Sequence, residues 1–400
     1  MEFEKDILWW KNIIVERKLI DCMEKIGVLT FHKSINYGSV LQAWALCTAL
    51  KEYNISIIDY EPDVYKQNYD LFSQTKGLKY NVNRLLNCVA IKRQIQGFAE
   101  FRSKYLPLTQ KCTSSDISEK TFTEFDAVIT GSDQIWNVHA EDADDAYFLP
   151  YNISAKKIAY ACSINNTDFT EKRCDEKLRK WISDYDFISI REKSGADKVS
   201  HFLNGEKTIY TVLDPTLLNT KDTFDPITNG RIIKRPYIFL YNVWSGGEAV
   251  KAARKISEIT GLPVYTAMMD SRIKQILRAE KQGIRVEIKY TSPQDFLSLI
   301  KYSELVVTDS FHGTAFSLIF EKNFVCINPR DQFGHLKNDE RIVNILDIVN
   351  LKERYIGMDD IDNFDFHKGI DYTAVTQKRM KEAERCKSLL VGAIEGKIKS

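Results

Sequence analysis

A single histidine follows a predicted buried strand, at a point where a helix is about to begin. The segment 305–320 reads LVVTDSFHGTAFSLIF. Its first three residues are apolar and two are β-branched, which predicts a strand buried on both faces, and the last seven form an apolar helix. Helix N-termini favour anions, and histidine donates protons near neutral pH. We therefore predict that His312 is a proton donor beside a bound anion. The residues expected to contact that anion are Ser310, Gly313 and Thr314.

The same turn has a plainer interpretation. Asp309 and Ser310 are residue types that cap helices, and they would then only start the helix that follows. His312 would be a turn residue with no chemical role. The residues of this turn alone do not decide between the two interpretations.

A second polar turn follows the strand predicted over 125–130. Its sequence is GSDQIWN, and it ends at Asn137. Asp and Asn side chains hydrogen-bond sugar hydroxyls, and an indole stacks on the apolar face of a pyranose. This turn therefore predicts a sugar site, whose residues are Asp133, Gln134, Trp136 and Asn137. In the alternative interpretation, the tryptophan only covers the hydrophobic core.

Arg191 stands at the end of a third predicted strand, over 187–190. A guanidinium binds a carboxylate or a phosphate through two parallel hydrogen bonds, which makes Arg191 a candidate anion clamp. Its alternative role is an ion pair with Glu192 or with another neighbour.

The composition argues against several classes of function. The chain has 400 residues and a net charge of +1, so no global charge directs it toward nucleic acid. Its eight cysteines include no C-x-x-C pair and no metal-ligand spacing with histidine. This pattern predicts reduced thiols, a cytoplasmic protein and no metal site. No apolar run approaches the length needed to cross a bilayer.

Strands that alternate with helices predict an α/β fold of two Rossmann-like domains. The first strand, over 26–31, is followed by a loop, by Ser39 as the expected N-cap, and by a helix over 40–50. No G-x-G-x-x-G run follows this strand, which argues against a dinucleotide site. The length also favours two domains, since one core rarely holds 400 residues.

The predicted domain boundaries fall in polar stretches of the chain. They define a helical extension over 1–22, an N-terminal domain over 23–218 with an insertion at 62–120, a linker over 219–236, a C-terminal domain over 237–350 and a C-terminal segment over 351–400. The last segment is expected to contain an amphipathic helix that packs back on the N-terminal domain. The helical extension is expected to dock on the protein or on a partner, with membrane contact as the weaker alternative.

Five stretches together closely resemble the polysaccharide pyruvyl transferase family. In chain order they are TFHKSINYGSVLQAWAL, AVITGSDQIWN, SIREKSGADKV, VLDPTLL and VVTDSFHGTAFSLIF. The resemblance implies two Rossmann-like domains similar to the glycosyltransferase type B architecture, with the active site in the cleft between them. It also implies a transferase of polysaccharide biosynthesis that uses phosphoenolpyruvate (PEP) to place a pyruvate ketal on a sugar of a cell-surface glycan or its lipid-linked precursor.

The resemblance also implies roles for the candidate residues. His312 would give a proton to PEP, and Arg191 would hold its carboxylate or phosphate. Asn36, Gly38 and Ser39 would line the opposite lip of the cleft, and the GSDQIWN turn would recognise the acceptor. The implied partners are PEP and a sugar or glycan-lipid acceptor, with no other cofactor, no metal and no nucleic acid. Association with the inner face of the membrane and homo-oligomerisation are both compatible with this picture.

One position departs from the family pattern. Many members carry an arginine two residues before the histidine of the last turn, where this chain has Ser310. The missing cation is then expected from Arg330, Arg341 or Lys33. Two other functions stay open at this point: a glycosyltransferase-like enzyme with a nucleotide-sugar donor, and a non-catalytic partner in glycan assembly.

Overall fold

Two parallel β-sheets organise the chain, one in each half. The structure is a computed structural model. It describes residues 24–65, 85, 88–140, 142–165, 167–170, 174–242, 247–267, 279–331 and 333–400. The helix predicted over 1–22 lies outside the described residues, as does the first part of the helical pattern near 82–104.

The first half contains a six-stranded sheet and a small two-stranded one. Its strands are β1 (Lys25–Leu29), β2 (Asn54–Ile57), β3 (Tyr60–Glu61), β4 (Cys112–Thr113), β5 (Ala127–Thr130), β6 (Lys156–Cys162), β7 (Phe187–Ile190) and β8 (Ile209–Thr211). The large sheet has the order β2-β1-β5-β6-β7-β8, and all its neighbours are parallel. Every residue of β5 and β7 is buried, as expected for a sheet covered on both faces.

The helices of the first half cover this sheet. They are α1 (Tyr37–Ala49), α2 (Cys88–Tyr105), α3 (Glu176–Ser183) and α4 (Lys193–Phe202). The predicted helix over 40–50 therefore begins earlier, at Tyr37. Helix α3 has eight residues and begins after Asp175, whose side chain accepts from the Leu178 N–H as an N-cap.

The second half repeats the plan with the Rossmann strand order. Its strands are β9 (Ile238–Tyr241), β10 (Val264–Ala267), β11 (Ile284–Glu287), β12 (Leu305–Thr308), β13 (Asn323–Ile327) and β14 (Tyr355–Ile356), and its helices are α5 (Glu248–Thr260), α6 (Pro293–Lys301), α7 (Phe311–Ile319) and α8 (Glu340–Ile348). The order β11-β10-β9-β12-β13-β14 is parallel throughout. The two edge strands, β11 and β14, were not predicted from the sequence.

The strand order reverses direction at one point in each sheet. In the first sheet this point lies between β1 and β5, and in the second it lies between β9 and β12. Ligands of α/β proteins bind at the carboxyl ends of strands at such points, because the loops there diverge and leave a crevice. The predicted turns at Asp133 and at His312 directly follow β5 and β12.

Aromatic packing joins the two halves beside these loops. The ring of Tyr37, the first residue of α1, stacks on Phe296 of α6 with centroids 4.6 Å apart. Its hydroxyl donates to the Thr291 carbonyl at 3.1 Å. The start of α1 is therefore fixed against the second half of the chain.

The C-terminal helix α9 (Tyr372–Ile394) also contacts the first half. Arg379 on this helix is buried, and its guanidinium donates to the carbonyls of Leu217 at 2.9 Å and Asn219 at 2.8 Å. The backbone N–H of Leu213 donates to Cys386 at 3.3 Å. None of the described helices has both the length and the apolar character that crossing a membrane requires.

Candidate active site

His312 lies where the N-termini of two helices meet, one from each half. It is the second residue of α7, and only 8% of its surface is exposed. Its ring packs against Gly38 near the start of α1, so closely that a Cβ atom on that glycine would lie 2.0 Å from His312 Nδ1. Two helix N-termini that converge on one imidazole favour a bound anion at this place.

Asn36, rather than Ser39, caps helix α1. Its side-chain oxygen accepts from the N–H groups of Gly38 at 2.9 Å and Ser39 at 3.4 Å. The prediction that Ser39 is the cap was wrong, because the extended backbone of Asn36 lets its side chain satisfy these N–H groups first. The Ser39 hydroxyl instead donates to Asp133 Oδ2 at 2.5 Å.

Asp133, Arg191 and Asp214 form a buried charge network next to His312. The Arg191 guanidinium lies 3.3 Å from Asp133 Oδ1 and 2.7 Å from Asp214 Oδ2. Asp214 Oδ2 in turn lies 3.7 Å from His312 Nε2. The network therefore runs from the start of α1, through the ends of β5 and β7, to the histidine of the second half.

The electrostatics of this network keep both carboxylates ionised. Burial by itself raises the pKa of Asp214, but the contact with His312 and the charge of Arg191 outweigh it and hold that pKa well below its usual range. Burial also raises the pKa of Asp133, while the charges of Arg191 and His312 lower it overall. Two buried carboxylates thus surround one guanidinium and one imidazole.

This arrangement engages Arg191 with protein carboxylates. The contacts of Arg191 are ion pairs, as in the alternative interpretation of the sequence, but its partners are Asp133 and Asp214 rather than Glu192. That carboxylate instead accepts from the Ser163 hydroxyl and from the Asn165 N–H, the latter at 3.2 Å. The Arg191 guanidinium also lies over the ring of Phe311, 5.1 Å from its centroid.

The other predicted sugar-binding residues in the turn after β5 contact residues of the protein itself. Trp136 is completely buried, donates its indole N–H to the Tyr147 carbonyl at 3.3 Å and stacks on Phe148, so it presents no ring face to a sugar. It is a core residue, as in the alternative interpretation. Asn137 donates to the side chain of Gln134 at 3.1 Å, so these two predicted sugar contacts bind each other.

The residues around His312 in α7 serve packing as well. A Cβ atom on Gly313 would lie 2.1 Å from Thr308 Oγ1, so only glycine fits against β12 here. The buried Thr314 hydroxyl donates to the Ser310 carbonyl at 3.1 Å. Ser310 holds the N-cap position, but its hydroxyl makes no capping hydrogen bond. Ser310 therefore does not supply the side-chain cap that the plainer interpretation assumed for it.

A cavity of about 370 Å³ lies between the two halves, lined by Glu192 next to Arg191 in the chain and by Asp309 of the His312 turn. Its lining from the first half includes Glu192 and Lys198, and its lining from the second half includes Asp309, Lys337 and Arg341. Arg341 binds Asp339 through two hydrogen bonds, of 3.0 and 2.5 Å. Neither lysine was a predicted site residue. Lys198 lies in a family-like stretch, whereas nothing in the local sequence marks Lys337.

The three cations expected to replace the family arginine have different surroundings. Lys33 lies 2.7 Å from Asp59 and 3.6 Å from Glu61, and Arg330 lies 2.5 Å from Asp359. Neither of these two contributes to the lining of the cavity, whereas Arg341 does. Within the described ranges, no cluster of three or more His, Cys, Asp or Glu side chains could hold a metal ion.

Comparison with known proteins identifies the family of the chain. The family model for polysaccharide pyruvyl transferase matches residues 36–331, which include the start of α1, the turn after β5 and the His312 turn. The chain belongs to the polysaccharide pyruvyl transferase family. Membership in this family implies a transferase that acts on a sugar or glycan acceptor. No curated protein matches the chain with significant similarity.

Two solved structures are similar to this chain over most of its length. One is described as "Trehalose-6-phosphate from E. coli bound with UDP-2-fluoro glucose"; it is 8% identical, with a TM-score of 0.51 over 94% of this chain and 100% of that one. Another is a UDP-GlcNAc 2-epimerase from Methanocaldococcus jannaschii, 13% identical, with a TM-score of 0.46 over 92% and 99% of the two chains. At such identities the first likeness shows the fold alone, the glycosyltransferase type B architecture predicted for this pyruvyl transferase family member.

Proposed function

We propose that this protein transfers the pyruvyl group of PEP to two hydroxyls of a sugar, in a cell-surface glycan or its lipid-linked precursor, and releases phosphate. The observation that carries the proposal is the place of His312. Its ring lies in the seam between two Rossmann-like halves, at two helix N-termini and beside a buried carboxylate. PEP needs an anion site and a proton donor at one point, and these features supply both.

In this proposal the reaction proceeds as follows. His312 gives a proton to C3 of PEP, so the methylene becomes a methyl group and positive charge develops at C2. A sugar hydroxyl attacks C2 and releases its proton, which restores the imidazolium. A second hydroxyl then attacks C2, its proton is taken up by the departing phosphate, and the C2–O bond to phosphate breaks as the ketal closes. General acid catalysis of the first step contributes about 10²–10⁴-fold to the rate.

The anionic groups of PEP require cations as well as helix N-termini. We place them toward the cavity between the halves, where Arg341, Lys337 and Lys198 contribute positive charge. In this proposal Arg341 and Lys337 supply the positive charge that an arginine supplies in other family members at the position of Ser310. Because Arg191 is bound by Asp133 and Asp214, we assign it to the support of the site.

We further propose that PEP is the only co-substrate and that no metal or other cofactor takes part. PEP is a cytoplasmic metabolite, and a lipid-linked glycan precursor is attached to the membrane. We therefore place the enzyme in the cytoplasm, near the inner face of the membrane.

Calorimetric titration with PEP tests the proposal without knowledge of the acceptor. We expect wild type and His312→Ala to bind PEP in the micromolar to low millimolar range, because the ring supplies the proton rather than the anion contacts. Phosphate release from PEP with a panel of methyl glycosides and lipid-linked sugars should fall by about 10²–10⁴-fold in His312→Ala. His335→Ala, which alters an exposed ring, is the matched control. Binding of UDP without binding of PEP would instead indicate a nucleotide-sugar enzyme.

A further inference from the structure

A fully buried carboxylate, that of Asp214, faces the imidazole of His312 across the seam between the halves. The distance from Asp214 Oδ2 to His312 Nε2 is 3.7 Å. His312 Nε2 is itself buried and makes no hydrogen bond, which is costly for a polar atom. A distance of 3.7 Å is too long for a hydrogen bond, but catalytic contacts of this kind are often long before substrate binds.

Asp214 is held in place on both of its oxygens. Oδ1 accepts from the backbone N–H of Thr216 at 3.0 Å and from its hydroxyl at 2.8 Å. Oδ2 accepts from the Ser132 hydroxyl at 3.0 Å and from the Arg191 guanidinium at 2.7 Å. Four donors therefore fix the carboxylate, and Nε2 of the neighbouring His312 has no hydrogen-bond partner.

The two ring nitrogens of His312 have different surroundings. Nε2 faces the Asp214 carboxylate, whereas Nδ1 lies on the side of the ring that packs against Gly38. Because a carboxylate attracts a proton-bearing nitrogen, Asp214 orients the ring through Nε2–H. The nitrogen left to act on a ligand at the start of α1 is then Nδ1.

We propose that Asp214 is a positioning residue for His312: it orients the ring through Nε2–H, so that Nδ1 delivers the proton to PEP. That PEP accepts the proton rests on the proposed function, whereas the effect of Asp214 on the ring does not. The other charged groups that act on this pair are Asp133 and Arg191 of the first half, and Asp309 of the second half lies three residues before His312 in the chain. The low pKa of Asp214 agrees with a carboxylate that stays ionised beside the ring.

Asp214→Asn tests this role, because it keeps the shape of the side chain and removes its charge. We expect kcat for phosphate release to fall about 10²–10⁴-fold, while the Kd for PEP stays within about threefold of wild type. The alkaline limb of the kcat profile should move to lower pH, because the charged ring is less favoured without the carboxylate. The proposal would be overturned if the affinity for PEP and kcat fell by the same factor and the alkaline limb did not move.

Two control variants separate this effect from damage to the fold. Ser132→Ala removes one hydrogen bond from the same oxygen of Asp214 and leaves its charge, so the alkaline limb should stay in place. Asp59→Asn makes the same substitution in the other buried Asp–His pair, in which His32 Nε2 lies 2.9 Å from Asp59. It should lower stability without moving the limb. A movement equal to that of Asp214→Asn in either control would contradict the proposed role.

Chemical modification tests the state of the ring without any turnover. Diethylpyrocarbonate acylates the unprotonated imidazole, and peptide mass spectrometry measures the rate at each histidine. At about pH 6.5, His312 should react several-fold faster in Asp214→Asn than in wild type. His335, whose side chain is 82% exposed, serves as the internal reference in both proteins. An unchanged ratio of the two rates would overturn the role of Asp214. A raised ratio in a protein that neither binds nor consumes PEP would support that role and reject the proposed function.

Discussion

Replacement of Gly38 by alanine probes the point where the two halves meet. An ideal Cβ atom at this position would lie 2.0 Å from His312 Nδ1, 2.5 Å from Cγ and 2.6 Å from Cε1, whereas ordinary contacts begin at 3.4 Å. The ring would therefore have to move by roughly 1.4 Å, and a misplacement of about 1 Å in an active site costs about 10²-fold in rate. We expect Gly38→Ala to lower kcat for phosphate release by about two orders of magnitude.

The same substitution should change stability much less. Overpacking costs about 1–3 kcal/mol, and alanine recovers up to about 1 kcal/mol relative to glycine in a helix. The atoms that the new methyl group meets all belong to the side-chain ring of His312 and none to the backbone, so the ring can move while the backbone stays in place. We expect a loss of about 1 kcal/mol in the free energy of unfolding, measured with urea.

A double-mutant cycle shows whether the effect runs through His312. In a His312→Ala background the methyl group meets no ring, so Gly38→Ala should lower the remaining rate little further. Gly230→Ala is the matched control, because its new methyl group would contact nothing within 4 Å. A wild-type rate in Gly38→Ala would refute the reasoning, as would an equal loss in the presence and absence of the His312 ring.

Two further predictions concern the elements that support the site. Arg379→Ala should destabilise the protein by about 3 kcal/mol in urea unfolding, because it leaves the carbonyls of Leu217 and Asn219 without their buried donor. An effect below about 1 kcal/mol would show that α9 does not depend on this contact. Burial raises the pKa of Asp59, but hydrogen bonds from His32 and Lys33 lower it from 3.8 to about 2. Ionised Asp59 therefore contributes about 2 kcal/mol above pH 3.8 that is lost as the pH falls toward 2. In Asp59→Asn this part of the acid dependence should be absent, and an unchanged dependence would contradict the assignment.

The sequence by itself determined the plan of the fold and the place of the central histidine. Apolar β-branched runs at 187–190 and 323–327 coincide with strands of the structure. Such runs are readable because a strand buried on both faces needs a continuous apolar segment. Polar residues directly after a buried strand identified the turns at Asp133 and His312, since the carboxyl ends of parallel strands share one edge.

Only the tertiary structure decided what each side chain in those turns does. Trp136 and Arg191 carry the residue types of a sugar platform and an anion clamp, yet one is buried in the core and the other is bound by Asp133 and Asp214. Nothing in the local sequence indicates that His312 packs on Gly38 or that Lys337 lines the cavity. The physical reason is that sequence periodicity reports which face of an element is buried, whereas these contacts join residues far apart in the chain. Their partners are set by strand order and by how the two halves pack.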